Sequence, residues 1–231
     1  MAQNEMADTY MTDNGEISVH PIAHASFVMK APGMVIYNDP VGEPAAYEEL
    51  PPPDLVLITH EHGDHYNADT LAALVSNTTV LVTNPAVFDM LPEDLKARAT
   101  ALANGDRTEV SGITIDAIPA YNTTGDRLQY HPEGRDNGYV LGIDGKRIYI
   151  AGDTEDIPEM RTLSGIDIAF VPMNLPFTMD VTQAASAVTE FAPAIVYPYH
   201  YRGSDIGEFT QLVTDGGSGS EVVTGPWYED A

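Results

Sequence analysis

The stretch Leu55-Val56-Leu57-Ile58-Thr59 runs straight into His60-Glu61-His62-Gly63-Asp64-His65, and that junction limits what the chain can fold into more than any other feature. The first part is a short apolar, β-branched run after the turn signal Pro51-Pro52-Pro53-Asp54, so it reads as a buried strand ending before His60. The second part is then a loop leaving a strand. His60 and His62 are two apart, point to the same side of an extended backbone and can clamp one ion. Gly63 lets the chain turn and delivers Asp64 and His65 to an adjacent position. Imidazole with carboxylate suits Zn²⁺, with Mn²⁺ and Fe²⁺ close behind, whereas an all-oxygen set would suit Mg²⁺ or Ca²⁺. A helical HExxH site does not fit, because Asp64 stands where the second histidine would be needed. The bland alternative is a solvated loop that is merely rich in histidine.

The rest of the chain supplies two similar halves. The first reads as strands at Ile17 to His20, Ser26 to Lys30, Met34 to Tyr37 and Thr79 to Thr83, with helices near Ala68 to Ser76 and Pro85 to Met90. The second offers strands at Gly112 to Ile118, Tyr139 to Ile143 and Arg147 to Ala151, the last two joined at Asp144-Gly145, a strong hairpin signal. Strand Asp167 to Val171, a helix from about Thr182 to Phe191 capped by Asp180 or Thr182, and strand Ala194 to Tyr197 follow. A helix near Asp205 to Val213 and an edge strand from Glu221 to Thr224 would close the second sheet, in a tail with no candidate ligand.

The His60-x-His62-x-Asp64-His65 loop resembles the signature of the metallo-β-lactamase-fold hydrolases. Ile148-Tyr149-Ile150-Ala151-Gly152-Asp153-Thr154 is similar to that family's strand followed by Gly-Asp-Thr, and Ile195 to Tyr201 to its final strand ending in a histidine, here His200. His24-Ala25-Ser26-Phe27 and Asn38-Asp39-Pro40 resemble the branch of L-ascorbate-6-phosphate lactonases and N-acylphosphatidylethanolamine phospholipases D. The resemblance runs from about Ile17 to His200. It implies an α/β fold, an αββα sandwich of two mixed β-sheets with outer helices, over residues 1–231, with 1–14 a poorly ordered N-terminal segment. It also implies His60 and His62 on metal one, Asp64, His65 and His200 on metal two, and Asp153 bridging. Many relatives carry a third histidine for metal one after a Pro-Ala pair, but this chain reads Pro119-Ala120-Tyr121-Asn122. Asn122 is a poor zinc ligand, and His131, further along the same loop, is either the nearest replacement or simply an exposed turn residue. With His131 or a water completing metal one, two zinc ions are expected; without either, the site holds one.

Composition narrows the setting. The 231 residues are enough for one substantial core. Asp and Glu number 35 against 10 Lys and Arg, for a formal charge of −25, and the only lysines are Lys30, Lys96 and Lys146. With 43% hydrophobic residues this is no disordered acidic chain. Carboxylates spread along the whole sequence suit a cytoplasmic protein of a salt-accumulating halophile, where salt screens their repulsion. Nucleic acid is not an expected partner for such a surface. There is no cysteine, and no signal peptide or membrane-spanning run is legible. A second copy of the chain meeting through apolar patches is compatible with the sequence.

Two cations sharing a water lower its pKa and stabilise charge building on a carbonyl or phosphoryl oxygen. The expected activity is therefore hydrolysis of a small ester, lactone or phosphodiester. Asp64 would orient or deprotonate the water, and His24 would either line the pocket and donate to a leaving group or be a structural histidine hydrogen-bonded inside the first hairpin. The alternative is a weakly active metal- or ligand-binding protein that lost an efficient site through Asn122.

Overall fold

The computed structural model describes residues 7–228. Two sheets of seven strands face each other, and each follows one plan. In the first, β1 (Asp8–Met11), β2 (Glu16–Ala23), β3 (Ser26–Ala31) and β4 (Met34–Asn38) are antiparallel neighbours, and β5 (Leu55–Ile58), β6 (Val80–Thr83) and β7 (Ala99–Ala101) add on in parallel. In the second, β8 (Arg107–Val110), β9 (Ile113–Ala120), β10 (Asp136–Ile143) and β11 (Lys146–Ile150) are antiparallel. Three more strands, β12 (Ile168–Pro172), β13 (Ile195–Tyr199) and β14 (Glu221–Val222), extend it in parallel. The halves therefore match strand for strand, and the ends of β4 and β11, in equivalent places, both lead into an aspartate, Asp39 and Asp153.

Side-chain alternation explains the layering. On β5, Leu55 and Leu57 join the core between the sheets, while Val56 and Ile58 pack outward with Leu71, Val87 and Leu95. Those outer residues come from α1 (Ala68–Leu74), α2 (Pro85–Met90) and α3 (Glu93–Lys96). A strand covered on both faces has no polar alternation, which is why it reads as a continuous apolar run. Between the sheets, Phe27 of β3 stacks on Phe170 of β12 with ring centroids 4.1 Å apart. On the far side, Tyr149 of β11 meets Phe191 of α5 (Val181–Phe191), while α4 (Pro158–Arg161) and α6 (Ile206–Gly216) pack beside α5. Asp180 caps α5 in a reciprocal capping box with Gln183. The hairpin turn has both Asp144 and Gly145 at positive φ, as a tight type I′ turn requires.

The order expected of the N-terminal segment needs correction. Residues 1–6 lie outside the described ones, but Asp8–Met11 is a paired edge strand. Tyr10 is tied to Tyr197, and the Asp144 carboxylate accepts from Thr12 Oγ1 and from the Asn14 backbone N–H, so this segment is held by the second sheet.

Candidate metal centre

The candidate ligands on regular elements come from strand ends along one edge, where parallel strands leave their loops. His60 to His65 leave β5, Asp153 leaves β11, and His200 follows β13. The first loop turns because the His62 carbonyl accepts the N–H groups of both His65 and Tyr66. Gly63 keeps a negative φ there, so the turn does not use its left-handed freedom. Gly152 does use it: its φ is +66°, and a Cβ would sit 2.6 Å from the Asn137 carbonyl oxygen, so only glycine brings Asp153 to its place.

Two sets of nitrogens face one carboxylate. On one side lie His60, His62 and His131, each offering one ring nitrogen within 4.8 Å of the others. His60 Nε2 is 3.1 Å from His62 Nδ1, and Asp153 Oδ2 is 3.4 Å from His131 Nε2 and 3.9 Å from His60 Nε2. On the other side, His65 Nε2 is 3.3 Å from Asp153 Oδ1 and His200 Nε2 is 3.2 Å from Asp153 Oδ2. Asp64 Oδ2 completes this set, 3.4 Å from His200 Nε2 and 3.9 Å from His65 Nε2. Donors about 2.0–2.1 Å from a tetrahedral zinc ion stand roughly 3.3–3.4 Å apart, close to these spacings.

The hydrogen bonds behind the rings decide which nitrogens are free. His65 Nδ1–H donates to Asp39 Oδ2 (2.8 Å), and His131 Nδ1–H donates to Asp136 Oδ2 (2.9 Å). Thr59 Oγ1 donates to Asp39, so it accepts from His60 Nδ1–H at 3.0 Å. When these rings are neutral the inward Nε2 carries the lone pair, the arrangement by which carboxylate and hydroxyl partners orient metal-binding imidazoles. Asp39, Thr59 and Asp136 carry no sequence signal of this role beyond the position of Asp39 at the end of a strand. Among the described residues, the buried atoms His65 Nε2, Asp153 Oδ1 and both nitrogens of His200 have no hydrogen-bond partner. Orphaned polar atoms of this kind are costly unless something binds them, and a cation fits this donor set.

Asn122 is buried and faces away from the centre, where its amide donates to the carbonyls of Arg127 (3.1 Å) and Phe177 (2.8 Å). Its backbone N–H bonds the His131 carbonyl, and buried Glu155 gathers Thr123, Thr124 and Arg127, so the loop folds back and brings His131 inward. His24 sits beside the second set, with Nε2 3.2 Å from Asp64 Oδ2.

Burial and the neighbouring charges pull the histidines of the centre in different directions. Burial works against charge on His65 and His200, but Asp153, with Asp39 or Asp64, overcomes it and raises both. Burial likewise opposes charge on His131, yet Asp136 and Asp153 lift it to about 9. Burial and neighbouring imidazoles hold His60 and His62 neutral. Burial would raise Asp153 and Asp64, but the adjoining histidines depress both. His131 stabilises the metal-free fold fully below its unfolded value near 6.5, and that contribution is lost as pH rises through about 9. A cation needs those lone pairs, so metal uptake near pH 7 should release protons and tighten as pH rises. Titration calorimetry in two buffers of different ionisation enthalpy reads this directly; identical heats in both would contradict it.

The family described as "Beta-lactamase superfamily domain" matches residues 18–200. A UPF0173 metal-dependent hydrolase of Pyrococcus abyssi is 33% identical over 216 residues, covering 86% of this chain and 93% of that one. The chain belongs to this family of metal-dependent hydrolases. A relative from Thermococcus onnurineus is 35% identical over 213 residues, with the same coverage of 86% and 93%. A solved structure from Parabacteroides distasonis superimposes with a TM-score of 0.88 at 44% identity, over 95% of this chain and 97% of that one. A metallo hydrolase from Ignicoccus hospitalis shares the fold, with a TM-score of 0.75 over 90% of this chain at 24% identity. The protein is thus a metal-dependent hydrolase of the metallo-β-lactamase superfamily.

Proposed function

We propose that this hydrolase is binuclear and cleaves a small ester, lactone or phosphodiester. His60, His62 and His131 hold one ion, Asp64, His65 and His200 hold the other, and Asp153 lies between them. The observation that carries this reading is the single Asp153 carboxylate facing both imidazole sets at 3.2–3.4 Å. The nitrogen-rich donors favour Zn²⁺ over the hard cations. Bound zinc would supply an activated water and Lewis-acid stabilisation of the developing oxyanion. The chain's own residues hold the geometry: Asp39 and Asp136 fix ring orientation, and Asp64, half exposed at the mouth, faces incoming substrate and can accept a proton from the attacking water. The binding-protein alternative rested on Asn122; a ring nitrogen of His131 within 4.8 Å of nitrogens of His60 and His62 supports the enzyme reading over it.

The test is metal content by elemental mass spectrometry after purification in molar potassium chloride without chelator, followed by stripping and zinc return. About two zinc ions per chain and turnover of a chromogenic lactone or phosphodiester that follows the metal are expected. A metal-free protein, or turnover indifferent to stripping, would sink the proposal.

The setting belongs to the same reading. The charge of −25 suits the cytoplasm of a salt-accumulating cell, and the loop sequences around His24 and Asp39 suit the lactonase and phospholipase D branch. Screening of self-repulsion should then raise the melting temperature steeply between roughly 0.1 and 1 M salt, over which the Debye length falls from about 10 to 3 Å. A flat salt profile would argue for an ordinary acidic protein.

A further inference from the structure

The residue that completes the surroundings of Asp64 comes from the tail, beyond the 200 at which the family match ends. Trp227 is buried, and its carbonyl accepts the His24 backbone N–H, while the His24 carbonyl accepts the N–H of His200. His24 and His200 are both at positive φ, 55° and 46°, and their rings lie 3.8 Å apart. Backbone in this region is strained for any residue but glycine, and strain of this kind collects where function requires it. Next along the chain, the Tyr228 hydroxyl oxygen accepts the N–H groups of Tyr201 (3.0 Å) and Arg202 (3.2 Å) and lies 2.7 Å from His24 Nδ1.

These hydrogen bonds favour one position for the proton of His24. A phenol has one donor and two acceptor positions. Both acceptor positions of Tyr228 are filled by backbone N–H groups, so its own hydrogen points at His24 Nδ1. A neutral imidazole that accepts at Nδ1 carries its hydrogen on Nε2. That N–H faces Asp64 Oδ2 at 3.2 Å. The opposite tautomer would crowd three N–H donors onto one oxygen and turn a nitrogen lone pair on a carboxylate.

We propose that Tyr228 is a positioning residue of the metal centre, holding His24 in its Nε2–H form so that His24 donates to Asp64 Oδ2 and aims that carboxylate at the second ion. His24, Asp64 and His200 lie close enough together to suggest a further ion. With its Nε2 lone pair occupied by hydrogen, His24 is a partner of a ligand and not a ligand itself. Outer partners of this kind are commonly worth about 10–100-fold in metal affinity or activity. The proposal rests on the reading of Asp64 as a ligand.

The test uses the zinc-loaded protein and Tyr228→Phe, which keeps the ring against Tyr201 and Arg202 and removes only the hydroxyl. Long-range proton–nitrogen spectra, with His24 assigned through His24→Gln, should show His24 protonated at Nε2 in the wild type, with an Nδ1 signal that moves in the variant. Competition with a chromophoric chelator should show the second zinc held about 10–100-fold more weakly in Tyr228→Phe. Hydrogen on Nδ1 in the wild type would overturn the proposal, as would Tyr228→Phe with unchanged zinc affinity and an unmoved His24 signal. If the wild type bound no zinc at all, the binuclear reading would fail on its own count, while the spectra would still decide the tautomer.

Discussion

Asp153→Asn should empty both halves of the centre and lower kcat/KM by about 10⁴-fold while leaving the fold intact. The two carboxylate oxygens stand 3.2–3.4 Å from imidazole nitrogens of His65, His131 and His200. An amide offers one oxygen and turns N–H hydrogens toward nitrogens that need a cation. It also removes the negative charge that both proposed ions would share. Metal-assisted polarisation and water activation are worth several kcal/mol of barrier, and each 1.36 kcal/mol is tenfold in rate, which gives the expected loss. The fold should survive, because His65 and His200 are raised chiefly by Asp153 and can become neutral once it is gone. Elemental analysis, circular dichroism and turnover of the same preparation check all three statements. Two bound ions with turnover within tenfold of wild type would refute the bridging role.

The centre was legible in the sequence to the extent that its residues sit next to strong strand signals. His60 to His65 follow an apolar run, Asp153 follows Ile148 to Ala151, and His200 follows Ile195 to Tyr199, so strand-then-polar patterning finds them. His131 lies on a loop whose path is set by Glu155 and Asn122 through hydrogen bonds across more than thirty positions, which no local pattern encodes. Tyr228 is less legible still, since only the packing of Trp227 between the sheets brings it back to His24. The missed strands have a local cause. Ala99–Ala101 is very short, and Arg107–Val110 alternates two charged residues with two half-buried ones at a sheet edge. Pairing with a neighbour, and not propensity, makes both of them strands. Likewise Asp8–Met11 looks like a polar terminus until its partner strand is present.

His131→Ala and Asn122→Ala should separate a ligand from a scaffold residue. On the binuclear proposal, removing His131 would leave His60, His62 and Asp153 to hold the first ion. The count should fall from two zinc ions toward one, and kcat/KM by roughly 100–1,000-fold, about 3–4 kcal/mol of barrier. The fold should tolerate this, because Asp136 keeps its pairing with Arg135 at 2.6 Å. Breaking a buried ion pair that leaves a charge alone costs about 3–5 kcal/mol, and here the charge is not left alone. Asn122→Ala removes two part-buried hydrogen bonds, to the carbonyls of Arg127 and Phe177, and no donor to the centre. It should cost about 0.5–1.5 kcal/mol of stability per hydrogen bond lost, with both ions retained whenever the protein is folded. Asp136→Asn lies between the two: it keeps the His131 ring but weakens its orientation, so the first ion should loosen about 10–100-fold. Should Asn122→Ala empty the first half and His131→Ala leave it filled, the third donor would be Asn122 and the loop's path would have to be rebuilt around it.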